Sequence, residues 1–191
     1  TLVAAGAFHP DDARVGILFS DSFENAKQGV APSGPWKAEC RGDANIAVTR
    51  ETAAEGRQAL VFTDAPGSSF WPFLHRSFAP IRSGSVRLSF DLRVPYGSVC
   101  LIEARTEGHG TGPSLSVDAS GTLRASGRPL TALAPDVWHH VSVAFDLNAP
   151  TLAYKLAVVS SNQPPQRFSD LPFASPLFTV CDSLFVIGAG Q

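Results

Sequence analysis

From Ser85 to Val94 the chain alternates without a break. Val86, Leu88, Phe90, Leu92 and Val94 are apolar, and Arg87, Ser89, Asp91 and Arg93 between them are polar. Successive side chains of an extended strand point to opposite faces, so this run has one dry side and one wet side. A helix would scatter the same residues around its circumference. The pattern returns at Trp138–Asp146, with Val141, Val143 and Phe145 on one face. It returns again at Thr151–Ser160, with Leu152, Tyr154, Leu156 and Val158. The turn residues from Leu147 to Pro150 join these last two runs as a hairpin.

Shorter β-prone runs fill the rest of the chain. They are Gly16–Phe19, Asn45–Thr49, Ala59–Thr63, Ser98–Arg105 and Ser183–Gly188, with Ser114–Asp118 and Gly121–Ala125 as a second hairpin. Phe70–Phe78 contains Pro72, which places it at a sheet edge or at the start of a strand. Gly29–Pro35 and Gly108–Gly112 read as loops, and Arg50–Gln58 lacks the apolar face a helix needs. The count is about ten short strands with no amphipathic helix and no repeat of 20–50 residues. This predicts an all-β, two-sheet antiparallel β-sandwich of the jelly-roll kind. A length of 191 residues suits one such domain, whereas halves would have thin cores. Residues 1–15, with His9-Pro-Asp-Asp, read as a lead-in segment, and 16–191 as the domain.

Charge removes several functions. The formal net charge is −2, which argues against a duplex nucleic-acid binder and against a polybasic membrane-surface protein. No apolar run approaches the roughly 20 residues of a membrane-spanning helix. The first residues lack the basic start of a signal peptide. Of the three cysteines, Cys100 and Cys181 sit among apolar neighbours and read as buried free thiols. The alternative is one disulfide with a thiol left over. No CxxC is present, which excludes a zinc ribbon.

Catalytic patterns are missing. There is no Gly-x-Ser-x-Gly elbow, P-loop or dinucleotide fingerprint. Glu103 and Glu107 approach a carboxylate pair, with Arg105 between them, but read as solvated strand-end charges. His139 and His140 are adjacent on a strand and point to opposite faces, so they do not chelate one ion together. A sugar site needs aromatic stacking and hydrogen bonds to hydroxyls. Phe70, Trp71 and His75 on the Pro-interrupted strand are candidates, as is the outward row Arg87, Asp91 and Arg93. The plainer reading of that row is a wet face with cross-strand ion pairs.

The segment Asp136–Asp146 (Asp-Val-Trp-His-His-Val-Ser-Val-Ala-Phe-Asp) resembles the Trp-His-x-Val strand of bacterial laminin G-like and concanavalin A-like domains. Leu18–Glu24, Gly56–Phe62 and Asp182–Gly188 resemble other strands of that group. The resemblance implies a concanavalin A-like fold and a secreted or cell-envelope setting. It also implies a possible structural Ca²⁺ at a loop rim, for which Asp21, Glu24 and Asp182 are the candidates; no other cofactor is required. The Glu-x-Asp-x-x-Glu strand of the group's laminarinase-type hydrolases is absent. The expected function is therefore a non-catalytic extracellular module binding carbohydrate or an extracellular protein. A structural or adhesion spacer is the first alternative. A polysaccharide hydrolase or lyase with an unfamiliar site, using His75, Arg76 and Tyr96, is the second.

Overall fold

The computed structural model describes residues 18–65, 67, 69–106, 110–161 and 163–188, and the backbone of 2–5. Its strands are β1 Leu2–Ala5, β2 Trp36–Glu39, β3 Asn45–Thr49, β4 Ala59–Thr63, β5 Phe73–Ile81, β6 Ser85–Arg93 and β7 Cys100–Arg105. They continue as β8 Thr111–Val117, β9 Thr122–Ala125, β10 Arg128–Ala132, β11 Trp138–Asp146, β12 Ala153–Ser160, β13 Gln166–Pro172 and β14 Cys181–Gly188. Among the described residues there is no helix.

The strands form two antiparallel sheets of seven. Sheet A has the order β13-β12-β11-β6-β1-β4-β3, and sheet B the order β10-β9-β8-β7-β14-β5-β2. The alternating runs sit at the middle of sheet A. β6 and β11 pair along their whole length, from Trp138 opposite Arg93 to Asp146 opposite Ser85. Along β11 each second residue is buried, from His139 to Phe145. Val141 and Val143 of sheet A, and Leu74, Ile102 and Val186 of sheet B, belong to one apolar cluster between the sheets. Phe90 is half-buried and packs against the same cluster. The two sheets therefore enclose a single core, as the period-two patterns require.

Four strands were not expected. β1 lies within the segment read as a lead-in, yet it pairs with both β4 and β6 in sheet A. β2, β10 and β13 are edge strands. The expected first strand, Gly16–Phe19, is absent over Leu18 and Phe19, and Phe23 and Glu24 lie in a turn; Gly16 and Ile17 lie outside the described residues. That turn is fixed instead by side chains. Gln58, buried at the start of β4, donates from Nε2 to the carbonyls of Phe23 (2.9 Å) and Glu24 (2.8 Å). Pro72 immediately precedes β5, but β5 is an inner strand between β14 and β2.

Candidate functional site

Strand register decides which side chains share the solvent face of sheet B. Lys37 is opposite His75, His75 opposite Phe185, Phe185 opposite Glu103, and Glu103 opposite Ser114. These residues form one row across β2, β5, β14, β7 and β8. The neighbouring row is Glu39, Phe73, Ile187 and Leu101. Their chain neighbours Leu74, Val186 and Ile102 point into the core, so both rows face outward.

The outward face carries aromatic rings where a solvated sheet would carry charges. Trp71 and Phe73 have ring centroids 4.8 Å apart, and Phe73 lies 6.1 Å from Phe185. His75 stacks on Phe185 at 5.1 Å with an interplanar angle of 12°. Guanidinium groups close both ends. Arg41 lies 4.2 Å from the Trp71 ring centroid and Arg105 4.3 Å from that of Phe185. Phe185 thus has His75 on one side and Arg105 in cation–π contact, a favourable arrangement for a half-desolvated ring.

Glu103 anchors the far end of the row. It is 8 % exposed, which corrects its reading as a solvated strand-end charge. Its Oε1 accepts from Ser114 Oγ (2.9 Å) and its Oε2 from Arg105 Nε (2.7 Å). Arg105 is two residues on, so alternation returns it to the same face as Glu103. Burial makes both bonds necessary, because an unpaired carboxylate there would be costly. Glu107, its expected companion, lies outside the described residues. The other glutamate on this face, Glu39, is three strands away on β2. At about 4.8 Å per strand that is about 14 Å or more, beyond the roughly 5–10 Å that paired-carboxylate glycoside hydrolysis uses.

His75 is a half-buried polar group among the rings of this face. Its ring stacks but has no hydrogen-bond partner in the protein among the described residues. Partial burial lowers its pKa below the ordinary imidazole value, Lys37 lowers it further, and Glu39 opposes. The ring therefore sits neutral at neutral pH, with one N–H to donate and one nitrogen to accept.

A loop supplies the rim. Gly188 donates its N–H to the Pro72 carbonyl at 2.8 Å, and a side chain on Gly188 would press on Pro72 Cδ at 3.1 Å. This close approach, possible for glycine, seats the loop at the end of the sheet. Phe70 projects from that loop with 63 % of its surface exposed, in a left-handed backbone conformation (φ 66°).

The six residues expected to bind a ligand do not form one site. Trp71, through its ring contact with Phe73, and His75 belong to the outer side of sheet B, and Phe70 precedes Trp71 in the loop before β5, whereas Arg87, Asp91 and Arg93 lie on the outer face of sheet A. The core separates them. The second trio behaves as a paired sheet face: Asp91 accepts from His140 Nδ1 at 2.9 Å, and Arg93 bonds the carbonyl and carboxylate of Asp136. His139 and His140 diverge as adjacent strand residues must. His139 is buried, with Nδ1 2.6 Å from Ser160 Oγ and Nε2 3.0 Å from the Ala134 carbonyl.

The acids expected at a calcium rim are not brought together either. Asp21 accepts from the Phe23 N–H and from Trp36 Nε1 (2.7 Å). Glu24 Oε1 accepts the N–H groups of Arg57 and Gln58 (2.7 and 2.8 Å), and Asp182 lies on β14 beside Ser183. Among the described residues no three such side chains are grouped as a metal site. The cysteines are free thiols. Cys100 and Cys181 are buried, with pKa values pushed up to about 12 by desolvation. They bracket β14, Cys100 opposite Gly188 and Cys181 seven residues earlier, about 23 Å away and far beyond disulfide reach.

Sequence reasoning missed Lys37 and Phe185 as neighbours of His75, Arg41 as the cap of Trp71, and Arg105 and Ser114 as the partners of Glu103. One signal was available. Phe185 and Ile187 make β14 apolar on both faces, which is unusual where one face of an antiparallel sheet meets water.

No protein-family model matches the chain, and no curated protein matches it. Among solved structures it is similar to a sialidase, at 15 % identity and a TM-score of 0.58. The match covers 82 % of this chain but only 14 % of the sialidase. It is also similar to a GH131 β-glucanase catalytic domain from Podospora anserina, at 15 % identity and a TM-score of 0.55. Here the match covers 92 % of this chain and 94 % of the other. At these identities the likeness concerns the course of the backbone. Strand order, antiparallel pairing and these matches together give the chain the concanavalin A-like lectin/glucanase fold, a two-sheet jelly roll.

Proposed function

We propose that this chain is a saccharide-binding module of an extracytoplasmic protein, and that it holds its ligand on the outer face of sheet B. The observation that supports this is the in-register row Lys37–His75–Phe185–Glu103–Ser114 beside an exposed Phe70. Phe70 offers a free ring face for the apolar side of a sugar. His75 offers a donor and an acceptor for hydroxyls at a fixed position on a rigid sheet, while Glu103 and Ser114, buried and bonded to each other, hold the Phe185 end of the row in place. The row crosses the strands, so an extended chain lying across β5, β14 and β7 follows it. Binding without cleavage suits the wide spacing of Glu39 and Glu103.

The test is affinity electrophoresis or calorimetry of the full chain against a panel of soluble polysaccharides. Phe70→Ala and His75→Ala should each weaken binding of any ligand found by about tenfold, the scale of one lost stacking or hydrogen-bonding contact. Arg87→Ala, on the opposite face, should leave it unchanged. A panel that is not retained at all, or binding that survives both sheet B changes, overturns the proposal.

A further inference from the structure

The rings on the outer face of sheet B do not lie in one plane, and their tilts bear on the physical form of the ligand. Phe73 is inclined by 41° to Trp71, by 51° to His75 and by 40° to Phe185. His75 and Phe185 are nearly parallel, at 12°, with centroids 5.1 Å apart. Rings side by side in one plane keep their edge atoms about 3.5 Å apart, which sets their centroids farther apart than that. These two rings are therefore parallel but stepped, part of one overlying the other. The guanidinium carbons of Arg41 and Arg105 lie over Trp71 and Phe185, at 4.2 and 4.3 Å from the centroids, so each of those rings has one face covered. The second cover is fixed in place, because Arg105 Nε donates to Glu103 at 2.7 Å. Phe70, 63 % exposed, stands apart on the loop before β5. The face is thus a short corrugated row beside one open ring.

We infer that the ligand is a single dissolved polysaccharide chain, which bends to follow this row, and not the flat surface of a crystalline polymer. This rests on the saccharide-binding reading above. A crystal face presents many parallel chains in one rigid plane, and stacking on it needs several coplanar rings at once. Here no two rings in contact share a plane. A dissolved chain turns about its glycosidic bonds, so successive sugars meet Phe70, His75 and the ring edges at different tilts. Ordering the chain in this way costs entropy only over the short length of the row.

Two measurements on the full chain test this, each with a Phe70→Ala, His75→Ala double variant as control. Affinity electrophoresis in hydroxyethylcellulose, laminarin, xylan and glycol chitin reports binding to dissolved chains. Depletion from solution by microcrystalline cellulose and by crystalline chitin reports binding to flat surfaces. At least one dissolved polymer should retard the protein, and the double variant should bind it at least about tenfold more weakly. The crystalline polymers should retain no more of the wild type than of the double variant. Crystalline adsorption that the double variant loses overturns the single-chain assignment and leaves saccharide binding on this face standing. Retardation that survives in the double variant removes the face itself, and both readings with it. If no polymer binds in either form, both fall as well.

Discussion

Asp118 shows how much one exposed side chain can organise. It follows β8, and its Oδ1 accepts the N–H groups of Ser120 and Thr122 while Oδ2 accepts from Arg124 Nε at 2.9 Å. The hydroxyl of Ser120 and the Arg124 guanidinium favour the ionised form most, and they hold its pKa down to about 2. The folded pKa lies below the roughly 3.9 of an unfolded aspartate, so folding favours the charged form. The resulting stability is complete above about pH 4 and is lost as pH falls toward about 2. Asp118→Asn should therefore lower the melting temperature at pH 7 and match the wild type at about pH 2. A gap of equal size at both pH values would show that the turn does not depend on the charge. Residues of this sort were legible locally, because Asp followed by Ser and Gly marks a turn. Glu103 was not, since its partner Ser114 comes from the next strand and its burial comes from a whole sheet face.

Strands are where alternation became checkable. Val143 faces the core and Ser142, its neighbour, faces out. Val143→Asp should cost several kcal/mol, since it places an unpaired charge in the core, and should leave little folded protein. Ser142→Asp should stay within about 1 kcal/mol. Urea titrations followed by circular dichroism compare the two, and similar losses at both sites would contradict the assignment of faces. The expected runs β3, β4, β6, β11 and β12 were readable for this same reason: each has a face in the core. β2, β10 and β13 were not, and the cause is physical. All three lie at sheet edges. β13 buries Leu171 alone, β10 contains Pro129, and β2 reads Trp-Lys-Ala-Glu with only Trp36 fully buried. Edges carry polar residues and proline because an open ladder that looked like an inner strand would invite other chains to join it. The candidate site was half legible for a related reason. Phe70, Trp71 and His75 stood out as aromatic residues on an interrupted strand, but their partners come from β2, β7 and β14, which only the sheet order brings alongside.

For the whole molecule, the order of sheet B matters more than any single contact. β14 lies between β5 and β7, pairing with Ser77 to Phe73 on one side and with Arg105 to Cys100 on the other. It also contributes Leu184 and Val186 to the shared core. A chain ending at Val180 loses the strand that joins β5 and β2 to the rest of the sheet. Such a chain should show no cooperative thermal transition, whereas a retained transition with an unchanged midpoint would mean that the halves of sheet B are stable apart. The loss is of a different order from trimming an edge, because two hydrogen-bonded ladders and part of the interior go together.

Biosynthesis feels the same arrangement. The ribosome makes β5 and β7 long before β14, so each waits with an unpaired flank and an uncovered oily side. During that interval the nascent chain offers two sticky borders to any passing strand, its own relatives included. Slow translation between β7 and β14, or proteolytic loss of β14, would prolong this exposure and steer the protein toward chaperones or aggregates.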